Sequence, residues 1–249
     1  MSEEKVSFGY KLVSAGEKRK LVDDQFNAIA RTYDLADNLL SLGLHFLWKR
    51  FTIRTLSLKQ GELVLDLCGG TADLALLAAK DIGKEGKVIV YDINPEMLEM
   101  GRQKVTRSEV CGQIEFIQGD AESMCFPDQS FDAVVVGFGV RNLVHLETGL
   151  GEIFRVLKPG GRLAILEFSL PTLSWFRRLY DIYSFHVMPR AAKLICGTGN
   201  PFIYLAESIR VFPSPERLSE MLTETGFATA AFRRLTNGIA VAYLARKGP

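Results

Sequence analysis

Surplus charge is the first thing this chain lacks. Its 249 residues hold 30 Lys and Arg against 29 Asp and Glu, a net charge of +1, so no bulk field draws it to nucleic acid. Cysteine is scarce. Cys68, Cys111, Cys125 and Cys196 stand far apart, with no C-x-x-C pair and no metal-ligand spacing. That pattern points away from a disulfide scaffold or a metal site and suits a reduced, cytoplasmic chain. No apolar run approaches the ~18 residues of a spanning helix, and the start Met-Ser-Glu-Glu-Lys is too polar for a signal peptide. Internal repeats and low-complexity tracts are missing too. What is there is an ordinary globular composition, 47% hydrophobic. It is enough for a sizeable core in one large α/β domain, with room for an insertion.

The chain turns on Leu63-Val64-Leu65-Asp66-Leu67-Cys68-Gly69-Gly70-Thr71. The nearly unbroken apolar run fits a strand buried on both faces of a parallel sheet. It ends in an acidic residue, a small residue and two glycines, and Thr71 then opens a helical pattern. Alternation continues from there. Strands are predicted over Glu62–Leu67, Lys87–Tyr91, Ile114–Gln118, Phe131–Val136 and Arg162–Glu167, with helices over Ala72–Lys80, from Pro95 onward and over Leu146–Leu157. After a helix at Ser214–Thr225, strands at Ala228–Leu235 and Ile239–Ala245 flank Thr236-Asn237-Gly238, a tight hairpin link. The expected fold class is α/β: a Rossmann-like, seven-stranded, mostly parallel sheet with an antiparallel last strand.

Two regions stand outside this rhythm. Residues 1–20 read as a loose arm, or, through Lys18-Arg19-Lys20, as a basic patch for lipid headgroups. Residues 21–32 carry a helical pattern, and a longer one runs from Asp37 to about Leu58. Apolar residues cover most of the longer helix's circumference, so it packs on two sides or exposes a patch, with Lys49, Arg50 and Arg54 beside it. Together these segments are expected to form an N-terminal helical cap, residues 1–58, on a domain at 59–249. The second region is an insertion at about 171–206, where Trp175, Phe176, Tyr180 and Tyr183 interleave with Arg177, Arg178, Arg190 and Lys193. It reads as extra core, as a nucleic-acid surface, or as a helical lid over an apolar ligand near a membrane. The small net charge disfavours the second.

Strand ends carry the chemistry in such sheets. Glycines at 69 and 70 let backbone N–H groups approach a ligand. Asp92 lies 22 residues beyond Gly70, a spacing that suits a carboxylate gripping the ribose of a nucleotide. NAD would want G-x-G-x-x-G, and this bend lacks the third glycine. Asp73 in the first helical turn would repel a pyrophosphate, whereas Asp66 suits the ammonium of a methionine moiety. Both NAD and S-adenosylmethionine would use Asp92 in this way, and the bend suits a cationic ligand better than a pyrophosphate. Asp92 also reads as an N-cap ahead of Pro95. Gly119-Asp120-Ala121 reads as an adenine site or as a plain turn.

These positions resemble the class I S-adenosylmethionine-dependent methyltransferases. Family-level motifs narrow the resemblance to the UbiE/MenG quinone C-methyltransferases: Phe26-Asn27-x-Ile29-Ala30-x-x-Tyr33-Asp34, Gly43-x-His45-x-x-Trp48-Lys49-Arg50, Phe138-Gly139-Val140-Arg141-Asn142, Leu166-Glu167-Phe168-Ser169 and Ser208-Ile209-Arg210-x-Phe212-Pro213. The resemblance runs from about Val22 to Ala245. It implies methyl transfer from S-adenosylmethionine, without a metal, to a ring carbon of a prenylated quinol, with demethylmenaquinol first. The enzyme would sit in the cytoplasm and meet its substrate at the inner face of a membrane. Expected cofactor contacts are Tyr33, Asp66, Gly69, Thr71, Asp92, Ile93, Asp120, Ala121 and Gly137. Many family members carry Ser where this chain has Gly137, so one contact is lost or falls to the backbone.

A quinol ring carbon becomes a good nucleophile when its neighbouring hydroxyl loses a proton. Candidate catalytic groups are Arg141, Asn142, Tyr33, Asp34 and His45, with His186 a further candidate base. Arg141 stays protonated, so it would hold a quinolate oxygen rather than act as a base. The alternatives are a ubiquinone-precursor benzoquinol, a small soluble phenol, or a binding module with a degenerate site. Oligomeric state stays open, a homodimer included.

Overall fold

The computed structural model describes residues 4–249. The first three residues of the expected loose arm lie outside the described residues; from residue 4 to residue 20 the arm is instead a hairpin followed by the start of a helix. β1 (Lys5–Phe8) and β2 (Lys11–Ser14) pair antiparallel. Ser14 caps α1 (Ala15–Ile29), its hydroxyl accepting from the Glu17 amide at 3.3 Å. The basic triplet does not form a lipid patch: Lys18 is buried and donates to the Leu143 carbonyl at 2.5 Å, and Arg19 pairs with Asp120 at 2.7 Å. Four-residue strands leave little periodicity to read, and Phe8 finds its partner far along the chain, stacking on Tyr204 with ring centroids 4.2 Å apart.

The long helix expected from Asp37 is two helices. α2 (Tyr33–Leu40) and α3 (Leu44–Leu56) are broken at Ser41-Leu42-Gly43, where Leu42 (φ 51°) and Gly43 (φ 74°) take left-handed conformations. Glycine adopts that conformation at little cost and ends the first helix there. Ile53 and Leu56 of α3 are buried with Val64, Leu74 and Ala133. α3, placed by its sequence in the expected cap over residues 1–58, therefore packs as part of the layer covering the sheet.

The sheet follows in chain order: β3 (Leu63–Leu67), α4 (Asp73–Ile82), β4 (Lys87–Asp92), α5 (Pro95–Val105), β5 (Ile114–Gln118), β6 (Phe131–Gly137), α6 (Leu146–Val156) and β7 (Leu157–Phe168). The insertion supplies α7 (Ser174–Ile182), a π-turn at Tyr183–Val187, α8 (Met188–Cys196) and α9 (Asn200–Val211). α10 (Pro215–Thr225), β8 (Thr229–Leu235) and β9 (Ala240–Arg246) close the chain. Strand order is β5-β4-β3-β6-β7-β9-β8, and β9 runs opposite to the other six. Leu65 sits between Ile89 of β4 and Val134 of β6. The chain winds outward from β3 and then returns to β6, so the crevice between their carboxyl ends is the switch point where α/β sheets bind ligands.

Both faces of the sheet are covered. Leu65, Val134 and Ile165 pack with Leu150, Ile153 and Leu222 on one side. Val64, Val90 and Val135 pack with Ala75, Ala78 and Leu98 on the other. This is why β3 reads as a continuous apolar run. The insertion is partly core and partly exposed apolar surface. Met188, Ala192, Phe202 and Ala206 bury themselves against Ile29 and Ala36, while Trp175, Leu179, Ile182 and Leu194 stay exposed. Among the described residues no helix is long and apolar enough to cross a membrane.

Asn94, not Asp92, caps α5. Its side chain accepts from the Met97 amide at 2.9 Å and donates to Asp23 and Asn27 of α1 at 2.6 and 2.7 Å. One buried amide therefore starts α5 and ties down α1. Asn94→Ala should cost about 2 kcal/mol, one cap plus shared side-chain bonds, and lower Tm by roughly 4–8 °C in a calorimetric melt. An unchanged Tm would show that α1 is held by other contacts.

Candidate active site

A cavity of about 600 Å³ opens at the carboxyl ends of β3, β4, β5 and β6, beneath α1. Tyr33, Asp66, Gly69, Thr71, Asp92, Ile93, Asp120, Ala121 and Gly137 all line it. The bend after β3 is drawn tight: a Cβ on Gly69 would come within 2.8 Å of the Asp66 carbonyl oxygen. Asp66 is buried beneath that bend. Its Oδ2 accepts from the Ala75 amide at 2.8 Å, and its Oδ1 has no partner among the described residues. Burial, with Asp73 and Asp92 nearby, pushes this carboxyl up to about 8. Asp92 accepts from the amides of Gly70 and Asn94, both at 2.9 Å, and burial pushes it up to about 6. At Asp120, Oδ1 accepts from the Glu122 amide at 2.9 Å while Arg19 holds Oδ2.

Asp73 does not act as expected. It is held by Lys49 at 2.8 Å and also by Lys104. Burial works to raise its carboxyl, but the two lysines overcome this and hold it at about 2. Its charge is already matched, so it is not what selects against a pyrophosphate. At Gly137 an added Cβ would meet the Leu74 methyl tip at 2.6 Å. Leu74 thus occupies the space that the side chain of a serine there would need.

A second cavity, of about 370 Å³, adjoins the first, and Phe26, Tyr33 and Phe138 line both. Its walls are mostly apolar: Ile29, Leu40, Trp48, Phe168, Phe176 and Leu179 among them. Arg141 is the one basic side chain in that lining among the described residues. Its Nη1 donates to buried Glu167 at 2.8 Å, while its buried Nε has no acceptor among the described residues. Asn142 lies in the first cavity and accepts from the Tyr204 hydroxyl at 3.1 Å. Burial pushes the Tyr33 phenol well above its ordinary range, so it stays protonated at neutral pH.

The remaining candidates lie elsewhere. Asp34 lines neither cavity; it accepts from Thr71 Oγ1 at 2.8 Å and from Lys104 at 2.7 Å. His45 is buried and lines neither cavity. Lys49 sends its three protons to Asp37 at 2.7 Å, Asp73 at 2.8 Å and His45 Nδ1 at 2.9 Å. The same Nδ1 lies 3.0 Å from Asp37 Oδ2, and Nε2 lies 2.7 Å from Asn38 Oδ1. With both ring nitrogens engaged it has no nitrogen left to take a substrate proton. Asp37, His45 and Asp73 converge like a metal site, but the Lys49 ammonium sits among them. His186 is exposed in the π-turn. Sequence reasoning missed Arg19, Asp23 and Lys49 as cavity-lining residues. The Ser14-x-x-Glu17 capping spacing would have revealed α1 and with it the first two.

Comparison with known proteins settles the class. The profile of the ubiE/COQ5 methyltransferase family matches residues 13–247. The chain belongs to the ubiE/COQ5 methyltransferase family. It is 42% identical over 238 residues to the ubiquinone/menaquinone biosynthesis C-methyltransferase UbiE of Erwinia tasmaniensis, covering 96% of this chain and 95% of that one. A SAM-dependent methyltransferase from Aquifex aeolicus superposes with a TM-score of 0.58 at 18% identity, over 94% of this chain and 98% of the other. Phosphoethanolamine N-methyltransferase 2 of Haemonchus contortus, solved with S-adenosyl-L-methionine, gives 0.59 at 17%, over 81% and 52%. At such identities the two structures speak for the fold. This ubiE/COQ5 family member is an S-adenosylmethionine-dependent methyltransferase. The cradle fits that donor: an unpartnered buried carboxyl oxygen where an ammonium would be welcome, a glycine bend, and a carboxylate at the end of the next strand.

Because Asp66 and Asp92 are pushed up, part of the free protein holds them neutral near pH 7, and a cationic ligand favours their ionised forms. Donor affinity should therefore rise from pH 6 toward 8, with proton release visible by calorimetry in buffers of different ionisation heat. Asp66→Asn should weaken binding about 10- to 100-fold and reduce that release. For the free protein the sign is opposite. A carboxyl whose folded pKa is raised costs nothing below its unfolded value and destabilises increasingly as pH rises to about 8. The variant's Tm should then exceed wild type at pH 8 and match it at pH 4.

Proposed function

We propose that this enzyme methylates a ring carbon of a prenylated quinol, with demethylmenaquinol as first choice and a ubiquinone-precursor benzoquinol as the alternative. One observation carries the reading: an acidic nucleotide cavity and an apolar cavity meet at Phe26, Tyr33 and Phe138, with a single guanidinium in the apolar wall. The UbiE relatives are named for ubiquinone and menaquinone biosynthesis, which agrees with that geometry.

Bound S-adenosylmethionine supplies an electrophilic methyl on a sulfonium. Asp66 would hold its ammonium, Asp92 its ribose and Asp120-Ala121 its adenine. Arg141 would hold the quinol oxygen next to the reacting carbon, lowering the hydroxyl pKa so that its proton passes to water. Asn142, fixed by Tyr204, would flank the same oxygen. Phe138 and Phe168, stacked at 4.2 Å, would present a flat wall to the ring. The new carbon–carbon bond forms as the carbon–sulfur bond breaks, and the ring carbon then loses its own proton to solvent. The protein's contribution is chiefly position and charge.

A polyprenyl tail needs an apolar exit. Leu42 and Leu179 line the second cavity and are exposed, and Leu35, Leu39, Leu47 and Trp175 extend the apolar surface on the same two helical regions. Exposed Arg177 and Arg178 adjoin Trp175 and Leu179. Apolar side chains edged by arginine suit an anionic membrane surface.

Arg141→Ala should lower turnover about 10²- to 10³-fold, the usual cost of removing an anion-stabilising donor, with donor affinity within about twofold. Methyl transfer from labelled donor should appear in a lipid extract of demethylated quinones. Labelling of soluble phenols alone would sink the proposal. Replacing Leu47 and Trp175 together by Ser should cut co-sedimentation with anionic vesicles about tenfold. Sedimentation equal to wild type would remove the membrane contact from the reading.

A further inference from the structure

Glu167, next to last in β7, has no exposed surface. Its carboxylate accepts from Arg141 Nη1 at 2.8 Å, from the Phe168 amide at 2.8 Å and from the Arg141 amide at 3.4 Å. Arg141 Nη1 also donates to the Phe138 carbonyl at 2.5 Å. All side-chain hydrogen bonds of Arg141 thus fall on one corner of the guanidinium. Nε and Nη2, whose N–H bonds run side by side, have no acceptor among the described residues. That edge is the one with which arginine grips an oxygen through two donors. The Phe168 ring lies 5.6 Å from the Arg141 Cζ and limits the tilt of the plane. Without a counter-charge, a guanidinium this buried would be strongly disfavoured.

We propose that Glu167 is a positioning residue for methyl transfer: it pins Nη1 and so fixes the plane of the Arg141 guanidinium that holds the quinol oxygen. This deepens the role given to Arg141 above and rests on it. Glu167 also sets the local potential, because its charge offsets that of Arg141. The other titratable groups that feel this pair are Tyr33 on α2, Tyr180 on α7, Tyr204 on α9, Tyr243 on β9 and Cys68 at the bend. Burial pushes all five upward, so they stay neutral between pH 6 and 9. Asp66 and Asp92 titrate in that window in the free protein, and a bound cationic donor holds them ionised, so at saturating donor the ionisation seen in kcat belongs to the bound quinol.

Two variants of the full chain test this, assayed with S-adenosylmethionine and a demethylated quinol. Glu167→Gln keeps an acceptor for Nη1 and removes the charge. Arg141 then favours the quinolate more, and the acid limb of the kcat profile should move to lower pH by about half a unit or more. Glu167→Ala removes the pin and should lower kcat about tenfold or more, with donor Kd unchanged by calorimetry. A Gln variant with wild-type kcat and pH profile overturns the proposal, as does an Ala variant that loses donor affinity and turnover in parallel. If Arg141→Ala is slow while both Glu167 variants behave as wild type, only the positioning role fails. If Arg141→Ala itself keeps full turnover, the underlying reading of Arg141 fails.

Discussion

Lys49 is buried and charged, and its three N–H bonds reach Asp37 on α2, Asp73 on α4 and His45 on its own helix. An ammonium sealed from water is tolerable only when every proton has an acceptor. Burial works to lower its pKa, but Asp37 and Asp73 more than reverse this. Removing one partner of such a cluster typically costs about 3–5 kcal/mol. The two N-terminal helices α2 and α3 and the start of α4 beyond the glycine bend are therefore joined by a point constraint. A second strut runs parallel to it: Lys104 of α5 reaches Asp34 of α2 at 2.7 Å, and Asp34 accepts from Thr71. Together these contacts hold Tyr33, at the start of α2, between the two cavities.

Given that constraint, the two cavities divide the chemistry between them. One is rimmed by carboxylates on strand ends and suits a cation. The other is apolar and holds one guanidinium. A sulfonium methyl and a quinol ring have these same opposed preferences, and the shared wall is where the two would meet. The site also works against its own stability. Asp66 is buried with one oxygen unpartnered, which the protein bears until a ligand compensates it. Polar groups of this kind mark a site selected for binding rather than for the stability of the empty fold.

Much of the site was legible because it is local. β3, its glycine bend and the start of α4 are contiguous, and their periodicity and residue types declare a strand, a turn and a helix. Asp92, Asp120 and Gly137 were legible for the same reason, since each sits at a strand end. His45 was misjudged because its partners, Lys49 and Asn38, close around it only when α2 and α3 fold back on each other. The break at Leu42-Gly43 that permits this lies inside a continuous apolar pattern. The α1 lining was missed because residues 1–20 look polar, and their roles come from partners such as Asp120, Leu143 and Tyr204.

The sequence by itself determined the α/β class, the strand that begins the sheet, the carboxylates at strand ends and the family. All of these follow from short-range periodicity and from residue types at fixed spacing. Only the tertiary structure decided that α1 roofs the first cavity, that Lys49 is a buried hub and that Glu167 pairs with Arg141. Each of these is a contact between residues distant in sequence, formed because a buried charge or aromatic ring must find a partner, and no local pattern says which partner it will be.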